Sequence, residues 1–235
     1  MPNTTKCPHC GATLKRRTLT LCNKPVFAGY EECWCEGAVR ERAEYDRRER
    51  LREQQEAERL RLDAIRKAGI MPRFESAEHP LAQGCADDMS KGKNLYIYGE
   101  VGTLKTHLAS ATARILVAKG CNVKFSAMWK VLDAIKAGFR DNYDPLPAYQ
   151  SCQFLVLDDF GKESPTDFAL ERMFALIDER SARMLPTAVT TQYKPGRLIE
   201  RLAKNGDKDT AIAIVSRLRQ DCRTVELDGG DRRLG

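Results

Sequence analysis

Residues 94–107, NLYIYGEVGTLKTH, decide the fold of this chain. The apolar residues 95–98 predict a buried strand, which runs into a glycine-containing turn and then an alanine-rich helix up to Gly120. Strand, glycine loop, Lys-Thr pair and helix together form a phosphate-binding loop, in which backbone N–H groups and the helix N-terminus face the phosphates. Lys105 is expected on the β- and γ-phosphates, and the Thr106 hydroxyl on Mg²⁺. The other predicted nucleotide-binding loop residues are Gly99, Glu100, Val101, Gly102, Thr103, Leu104 and His107.

One loop position departs from the pattern. Glycine normally stands directly before the lysine, whereas this chain has Leu104 there. If the loop needs a positive φ or a close approach to phosphate at this point, leucine costs on the order of 1–3 kcal/mol. We expect Leu104 to affect the rate of nucleotide turnover and to leave the fold intact.

Length and composition indicate a cytoplasmic protein. The 235 residues allow one substantial core and a small accessory module. The net charge of +6 suits nucleic acid and suits an ordinary solvated surface equally well. No apolar run reaches transmembrane length, and residues 1–10 lack the apolar region of a signal peptide, so no membrane partner is expected. In a reducing compartment the nine cysteines are expected to be thiols or metal ligands.

Two cysteine pairs near the N-terminus predict a metal site. Cys7 and Cys10 form CPHC, and Cys33 and Cys35 form ECWCE. Four thiolates in two pairs give a closed tetrahedral Zn²⁺ site, which would replace the core that residues 1–39 are too few to build. Because the C-x-C spacing is the less common one, His9 and Cys22 remain alternative ligands.

Residues 40–69 predict a charged helical linker. The segment is mostly Arg and Glu without Pro or Gly before Gly69, and Glu44 and Arg48 are one of its i,i+4 pairs. Its apolar residues do not sustain a heptad repeat, which argues against a long coiled coil. A solvated linker is the favoured interpretation, and a helix that docks a partner through its apolar positions is the alternative.

Residues 70–235 predict an α/β domain. Strands at 95–98, 122–126, 153–157, 186–190 and 223–227 alternate with helices, which indicates a central parallel sheet covered on both faces. Ligands of such sheets bind at the carboxyl ends of the strands. Asp158 and Asp159 end one strand: Asp158 is expected to bind Mg²⁺ through its water shell, and Asp159 to orient or polarise the attacking water. Gln192 ends the next strand, within expected reach of the γ-phosphate or the water.

These motifs together resemble AAA+ ATPases of the DnaC/DnaI helicase-loader and IstB group. The resemblance covers about residues 69–235 and rests on GIMPRF (69–74), GEVGTLKTHLA (99–109), LVLDDFG (155–161), LPTAVTTQY (185–193) and IVSRL (214–218). It implies a P-loop AAA+ domain with no C-terminal helical lid, preceded by a small zinc-binding module as in phage and Gram-positive members. The implied cofactors are ATP, Mg²⁺ and Zn²⁺.

The resemblance also implies roles for single residues. The matching Walker A and Walker B residues are Lys105, Thr106, Asp158 and Asp159. Gln192 occupies the sensor 1 position, where asparagine is more usual. Arg217 matches the arginine finger, which acts on nucleotide held by a neighbouring subunit and so implies a homo-oligomer in the ATP-bound state. Arg232 or Arg233 is a weak candidate for sensor 2.

The implied function is an ATP-dependent loader of the replicative hexameric helicase in DNA replication. In the family the N-terminal module grips the helicase and the ATPase domain contacts single-stranded DNA. Candidate DNA-contacting residues are Lys130, Lys136, Arg140 and Tyr143, although a solvated amphipathic helix explains them equally well. One alternative is a transposition helper ATPase of the IstB kind. Another is a helicase-binding adaptor with little or no hydrolysis because of Leu104.

Overall fold

The chain forms two compact units, residues 1–60 and 61–235. The computed structural model describes residues 3–21, 24–164, 166–205 and 207–229. Cys22, Arg232 and Arg233, which the sequence suggested as alternative site residues, lie outside these ranges. Among the described residues, no helix combines the length and the apolar character that a membrane span requires. The division into residues 1–39, 40–69 and 70–235 remains a prediction.

The first unit contains a small antiparallel sheet that the sequence analysis did not predict. Its strands are β1 (Thr4–Lys6), β2 (Thr13–Leu21) and β3 (Lys24–Tyr30), in the order β1-β2-β3. Nearly every residue of β2 is exposed, so the apolar alternation that usually identifies a strand is missing from it. Helix α1 (Glu36–Lys67) follows, and its residues from 40 to 60 are almost all exposed, as a solvated helix requires.

The second unit is an α/β domain, which confirms the predicted fold class. Its five strands form a parallel sheet in the order β5-β6-β7-β4-β8. The strands are β4 (Asn94–Gly99), β5 (Val123–Ala127), β6 (Phe154–Asp158), β7 (Thr187–Thr191) and β8 (Cys222–Leu227). All five lie within one or two residues of the predicted segments, because buried parallel strands read as short apolar runs.

Helices cover both faces of this sheet. They are α2 (Ala82–Ser90), α3 (Lys105–Ala118), α4 (Met128–Asp141), α5 (Leu146–Ser151), α6 (Asp167–Ala182), α7 (Pro195–Leu202) and α8 (Lys208–Arg219), with 3-10 turns at Pro72–Phe74 and Ala203–Asn205. Two of these helices were not predicted from the sequence: α2, which contains Gly84, and α5, which has only six residues and contains Pro147. Neither segment shows a clear helical period.

Alternating residues of β4 supply two separate cores. Leu95 and Ile97 pack into one cluster with α2 and α3, and Tyr96 packs into the other with α4, α6 and α8. Ile65, near the end of α1, is buried in the first cluster. With both faces covered, the carboxyl ends of β4, β6 and β7 open at one edge of the sheet, where the polar residues of the predicted site follow the strands.

A buried arginine fixes the opposite edge. Arg180 of α6 is fully buried and donates hydrogen bonds to the Thr187 hydroxyl at 2.9 Å and to the carbonyls of Cys152 at 2.8 Å and Pro186 at 2.6 Å. The same guanidinium donates to the Tyr149 carbonyl at 2.9 Å. Arg180 therefore ties the segments that lead into β6 and β7 to each other, and so helps to set the register in which those strands carry the site.

Candidate functional site

A cleft of about 240 Å³ lies at the carboxyl edge of the sheet. The loop between β4 and α3, the turn after β6 and Gln192 after β7 all contribute to its lining. The structure thus brings together the predicted residues of the phosphate loop, the Asp158–Asp159 pair and Gln192. Arg217 does not belong to this group.

The phosphate loop curls around the Lys105 ammonium. Lys105 is buried, and its Nζ donates hydrogen bonds to the Gly99 carbonyl at 2.9 Å and to the Glu100 carbonyl. Gly99 has φ 156°, and a Cβ placed there would lie 2.2 Å from the Leu227 carbonyl oxygen, so no larger residue fits. The loop therefore encloses its lysine at the place where the motif expects phosphates.

Leu104 occupies the strained conformation that the sequence analysis considered. It immediately precedes α3 with φ 62° and ψ 23°, in the left-handed region. An L-residue with a branched side chain pays about 1–2 kcal/mol there, whereas glycine does not. The loop backbone therefore has the left-handed conformation that glycine favours, although the residue at this position is leucine.

Thr106 and Asp158 meet at the base of the cleft. The Thr106 hydroxyl donates to the Asp158 carboxylate at 3.0 Å, and the Thr190 hydroxyl donates to Asp158 Oδ1 at 2.5 Å. Burial raises the pKa of the Asp158 carboxyl above its ordinary value, against the opposing effect of these hydroxyl groups. A hydroxyl and a carboxylate in contact are oxygen ligands of the kind Mg²⁺ takes, so this pair fits the ion that the motif implies.

Sequence reasoning did not assign a role to Thr190. Its hydroxyl also accepts a hydrogen bond from the Asp159 amide at 3.0 Å, so it joins both aspartates to β7. This contact follows from the pairing of Leu157 with Val189 between β6 and β7. The pairing depends on the order of the strands in the sheet, which the sequence motifs do not specify.

Asp159 has a partner that was also missed. It is left-handed at φ 57°, and its Oδ1 lies 2.7 Å from Nζ of Lys162, which also lines the cleft. Lys162 lies in the turn after β6. Charged residues are common in solvent-exposed turns, so the sequence alone gives no reason to assign Lys162 to the site. The carboxylate assigned to the attacking water is therefore bound to an ammonium group in this structure.

The wall of the cleft near the start of the domain is aromatic and basic. Met71, Arg73 and Phe74 line it, with the Arg73 guanidinium 4.6 Å from the Phe74 ring centroid. The His107 ring meets Phe74 edge to face, with 6.1 Å between centroids, and shares a 2.9 Å hydrogen bond with the Glu78 carbonyl. Flat and cationic side chains of this kind suit the stacking of a nucleobase.

Arg217 lies at the other end of the sheet. Its Nε is 2.5 Å from Asp178 Oδ1 of α6, and its guanidinium lies 5.0 Å from the Phe174 ring centroid. Its carbonyl accepts a hydrogen bond from the Asn94 side chain at the start of β4. Because Gly99 at the opposite end of β4 opens the phosphate loop, a strand length of about 17 Å separates the two regions.

The four predicted zinc ligands form a cluster in the first unit. The sulfur atoms of Cys7, Cys10, Cys33 and Cys35 all lie within 4.8 Å of one another. Cys7 and Cys35 are 3.8 Å apart, and Cys10 and Cys33 are 3.4 Å apart. A tetrahedron with Zn–S bonds of about 2.3 Å has sulfurs about 3.8 Å apart, so the donor set fits Zn²⁺. The alternative ligand His9 instead contacts Glu41 at 2.8 Å.

Backbone amides favour the metal-binding form of one thiol of this cluster, Cys7, whereas hydrogen bonds with Cys10 and Cys7 raise the pKa of Cys33. The N–H groups of Cys10 and His9 point at the Cys7 sulfur and lower the pKa of that thiol to about 6. A thiolate is the form that binds metal, so the turn CPHC favours the ligating state before any metal arrives.

Comparison with known proteins confirms the family resemblance. The family model described as IstB-like ATP binding protein matches residues 83–235. The replicative helicase loader DnaI of Bacillus subtilis is 26% identical over 154 residues, which are 63% of this chain and 50% of the loader. A putative ATP-binding protein in an insertion sequence of Mycobacterium tuberculosis is 26% identical over 109 residues, 46% of this chain and 43% of that protein. The matched stretch thus spans half or less of these curated relatives.

Solved structures show the same fold. The crystal structure of the DnaC helicase loader aligns with 67% of this chain and 100% of its own, with a TM-score of 0.55 and 24% identity. The crystal structure of DnaI aligns with 71% of this chain and 84% of its own, with a TM-score of 0.52 and 25% identity. These likenesses support the AAA+ P-loop assignment of the second unit.

Proposed function

Because this chain belongs to the family of IstB-like ATP binding proteins, we propose that it is an ATP-dependent loader of the replicative DNA helicase. The observation that carries the proposal is the contact of Thr106 with Asp158 beside the lysine of the phosphate loop. That contact joins the two residues proposed to hold Mg²⁺, next to the lysine proposed to bind the phosphates, as in a P-loop ATPase.

Each residue of the cleft has a proposed task. Lys105 binds the β- and γ-phosphates together with the loop amides, and Thr106 and Asp158 hold Mg²⁺. Bound Mg²⁺ supplies charge neutralisation to the phosphates. Asp159 and Gln192 orient the attacking water, since both line the cleft at the ends of neighbouring strands.

Arg217 is proposed to act on a neighbouring subunit. The strand length between it and its own phosphate loop is far beyond the reach of one side chain. An arginine that stabilises transferring phosphate must contact it directly. The proposal therefore includes a homo-oligomer in the ATP-bound state, in which Arg217 leaves Asp178 for the nucleotide of the next copy.

The remaining contacts of a loader are assigned to the two units separately. The cysteine cluster and its sheet are proposed to grip the helicase, with Zn²⁺ as their structural centre. Single-stranded DNA is proposed to bind α4 and the loop after it, where Trp129 and Phe139 of the helix and Tyr143 of the loop are exposed and can stack on bases. Lys130 and Lys136 of the same helix supply positive charge for the backbone.

Two alternatives each have a supporting observation. The relative encoded in an insertion sequence favours a transposition helper ATPase of the IstB kind. The left-handed Leu104 favours a helicase-binding adaptor that hydrolyses ATP slowly or not at all. All three proposed functions use the same cleft residues. They differ in the binding partner and in the rate of ATP hydrolysis, so these two properties must distinguish them.

Capture of purified replicative helicase on the immobilised protein distinguishes the three. If the protein is a loader, wild type retains helicase in the presence of Mg–ATP, and Lys105→Ala retains a different amount under the same conditions. Retention that is identical for wild type and Lys105→Ala, with and without ATP, supports the adaptor. No complex under any of these conditions contradicts both of these proposals and leaves the transposition helper.

A further inference from the structure

Lys162 is a charged residue of the cleft to which none of these roles applies. It lines the cleft with Lys105 and Asp159, and its Nζ lies 2.7 Å from Asp159 Oδ1. Its side chain is 44% exposed and that of Asp159 is 34% exposed, so both groups are accessible to a ligand. The Lys162 ammonium therefore binds the Asp159 carboxylate, which in the proposed mechanism orients the attacking water.

Hydrogen bonds hold the backbone of the turn that carries Lys162. The Phe160 amide donates to the Thr190 carbonyl at 2.8 Å, and Arg201 Nε donates to the Gly161 carbonyl at 3.0 Å. The Lys162 amide closes the turn on the Asp159 carbonyl at 3.2 Å. A lysine has a flexible four-carbon stem with a point charge at its tip. The turn therefore limits where the ammonium can reach, and because the side chain is 44% exposed the ammonium can exchange its partner within that range.

Lys162 lines the same cleft in which the proposed site places the terminal phosphate of ATP. Lys105 and Thr106 define the side of the β- and γ-phosphates, and Asp159 and Gln192 define the side of the attacking water. The ammonium bound to Asp159 is therefore on the water side of the cleft that Lys105 and Thr106 also line. A terminal phosphate carries more negative charge than one carboxylate and accepts stronger charge-assisted hydrogen bonds.

The geometry points to Lys162 as a positioning residue that moves from Asp159 to the γ-phosphate when ATP binds. This inference rests on the proposed ATP site. In the structure Lys162 restrains Asp159; once it has moved to phosphate, Asp159 is released to orient water. ADP has no γ-phosphate, so ADP leaves the Asp159–Lys162 pair intact. Lys162 thereby makes the cleft prefer ATP to ADP and couples release of the water-orienting carboxylate to the presence of the substrate.

Nucleotide binding by Lys162→Met tests this exchange. We expect the variant to bind Mg–ATP about tenfold more weakly, at the low end for a charge-assisted hydrogen bond because the ammonium is half exposed. Its affinity for Mg–ADP should stay within about twofold of wild type, since ADP does not engage Lys162. Lys162→Arg keeps the positive charge and should retain most of the preference for ATP.

The matched control is Lys194→Met, which removes a lysine paired with Glu226 at 3.0 Å outside the cleft. It should leave both affinities unchanged, and thermal unfolding of all variants reports that each is folded. Equal weakening of ATP and ADP by Lys162→Met, or weakening of neither, overturns the inference and leaves the proposed function standing. If wild type binds neither nucleotide, the proposed ATP site fails and the inference fails with it.

Discussion

Replacement of Leu104 by glycine tests whether the phosphate loop is strained. Leu104 has φ 62° and ψ 23°, where an L-residue pays about 1–2 kcal/mol. Alanine at this position would remove the leucine side chain and keep that penalty. Glycine would remove both, at the cost of about 0.5–1 kcal/mol of additional chain entropy in the unfolded state.

Leu104→Ala and Leu104→Gly therefore form a matched pair. We expect Leu104→Gly to be more stable than Leu104→Ala by roughly 0.5–1 kcal/mol in the free energy of unfolding, measured by urea denaturation. In a helix interior the order is reversed, because there alanine is more stabilising than glycine by about 1 kcal/mol. An equal or higher stability of Leu104→Ala would show that the residue is not held in the left-handed region.

The same pair separates strain from bulk in catalysis. If the rate is limited by loop geometry, steady-state ATP turnover should rise in Leu104→Gly and should not rise in Leu104→Ala. A rise in both would assign the effect to the leucine side chain. No rise in either would remove Leu104 as the cause of slow hydrolysis and weaken the adaptor alternative.

Three further results are expected. Arg180→Met should lower the free energy of unfolding by more than about 3 kcal/mol in urea, because it leaves several buried carbonyls without donors; Arg180→Lys should also destabilise, since one ammonium cannot replace the guanidinium fork. Asp158→Asn should raise the melting temperature without nucleotide at neutral pH. Because the pKa of Asp158 is raised in the folded chain, the folded chain binds this proton more tightly than the unfolded chain does, and wild type loses stability as the pH rises from the ordinary aspartate pKa through the raised one. The stability advantage of Asp158→Asn should therefore vanish in acid. An advantage that persists in acid would contradict this explanation. Purified protein should contain one zinc per chain, and a chelator should alter the first unit, seen as increased proteolysis before residue 60, while the second unit stays folded; a metal-free protein with the same protease resistance would contradict a structural zinc.

The sequence predicted the parts of the site whose signals are local. The strand before Gly99, the lysine and threonine that open α3, and the aspartates that end β6 each combine an apolar run with a change to polar or glycine residues. Such changes are properties of a few neighbouring residues. For this reason the parallel sheet and the helix that follows the phosphate loop agree with the structure.

The parts that were missed depend on tertiary pairing or on weak burial. Thr190 reaches Asp158 only because β7 lies beside β6, and Lys162 reaches Asp159 only because the turn after β6 closes on itself. The strands β2 and β3 bury too little apolar surface to show a period. Arg217 was assigned from a motif, and only the structure shows that it lies at the edge of the sheet away from its own cleft.

The cleft at the carboxyl edge of the sheet is proposed to bind ATP with Mg²⁺. Isothermal titration of the full chain with ATP tests this proposal most directly, with and without Mg²⁺, beside Lys105→Ala. We expect saturable binding by wild type that weakens without Mg²⁺ and is lost in Lys105→Ala, because the lysine lies inside the phosphate loop. Binding of equal strength in both proteins, or no binding by wild type, would contradict it.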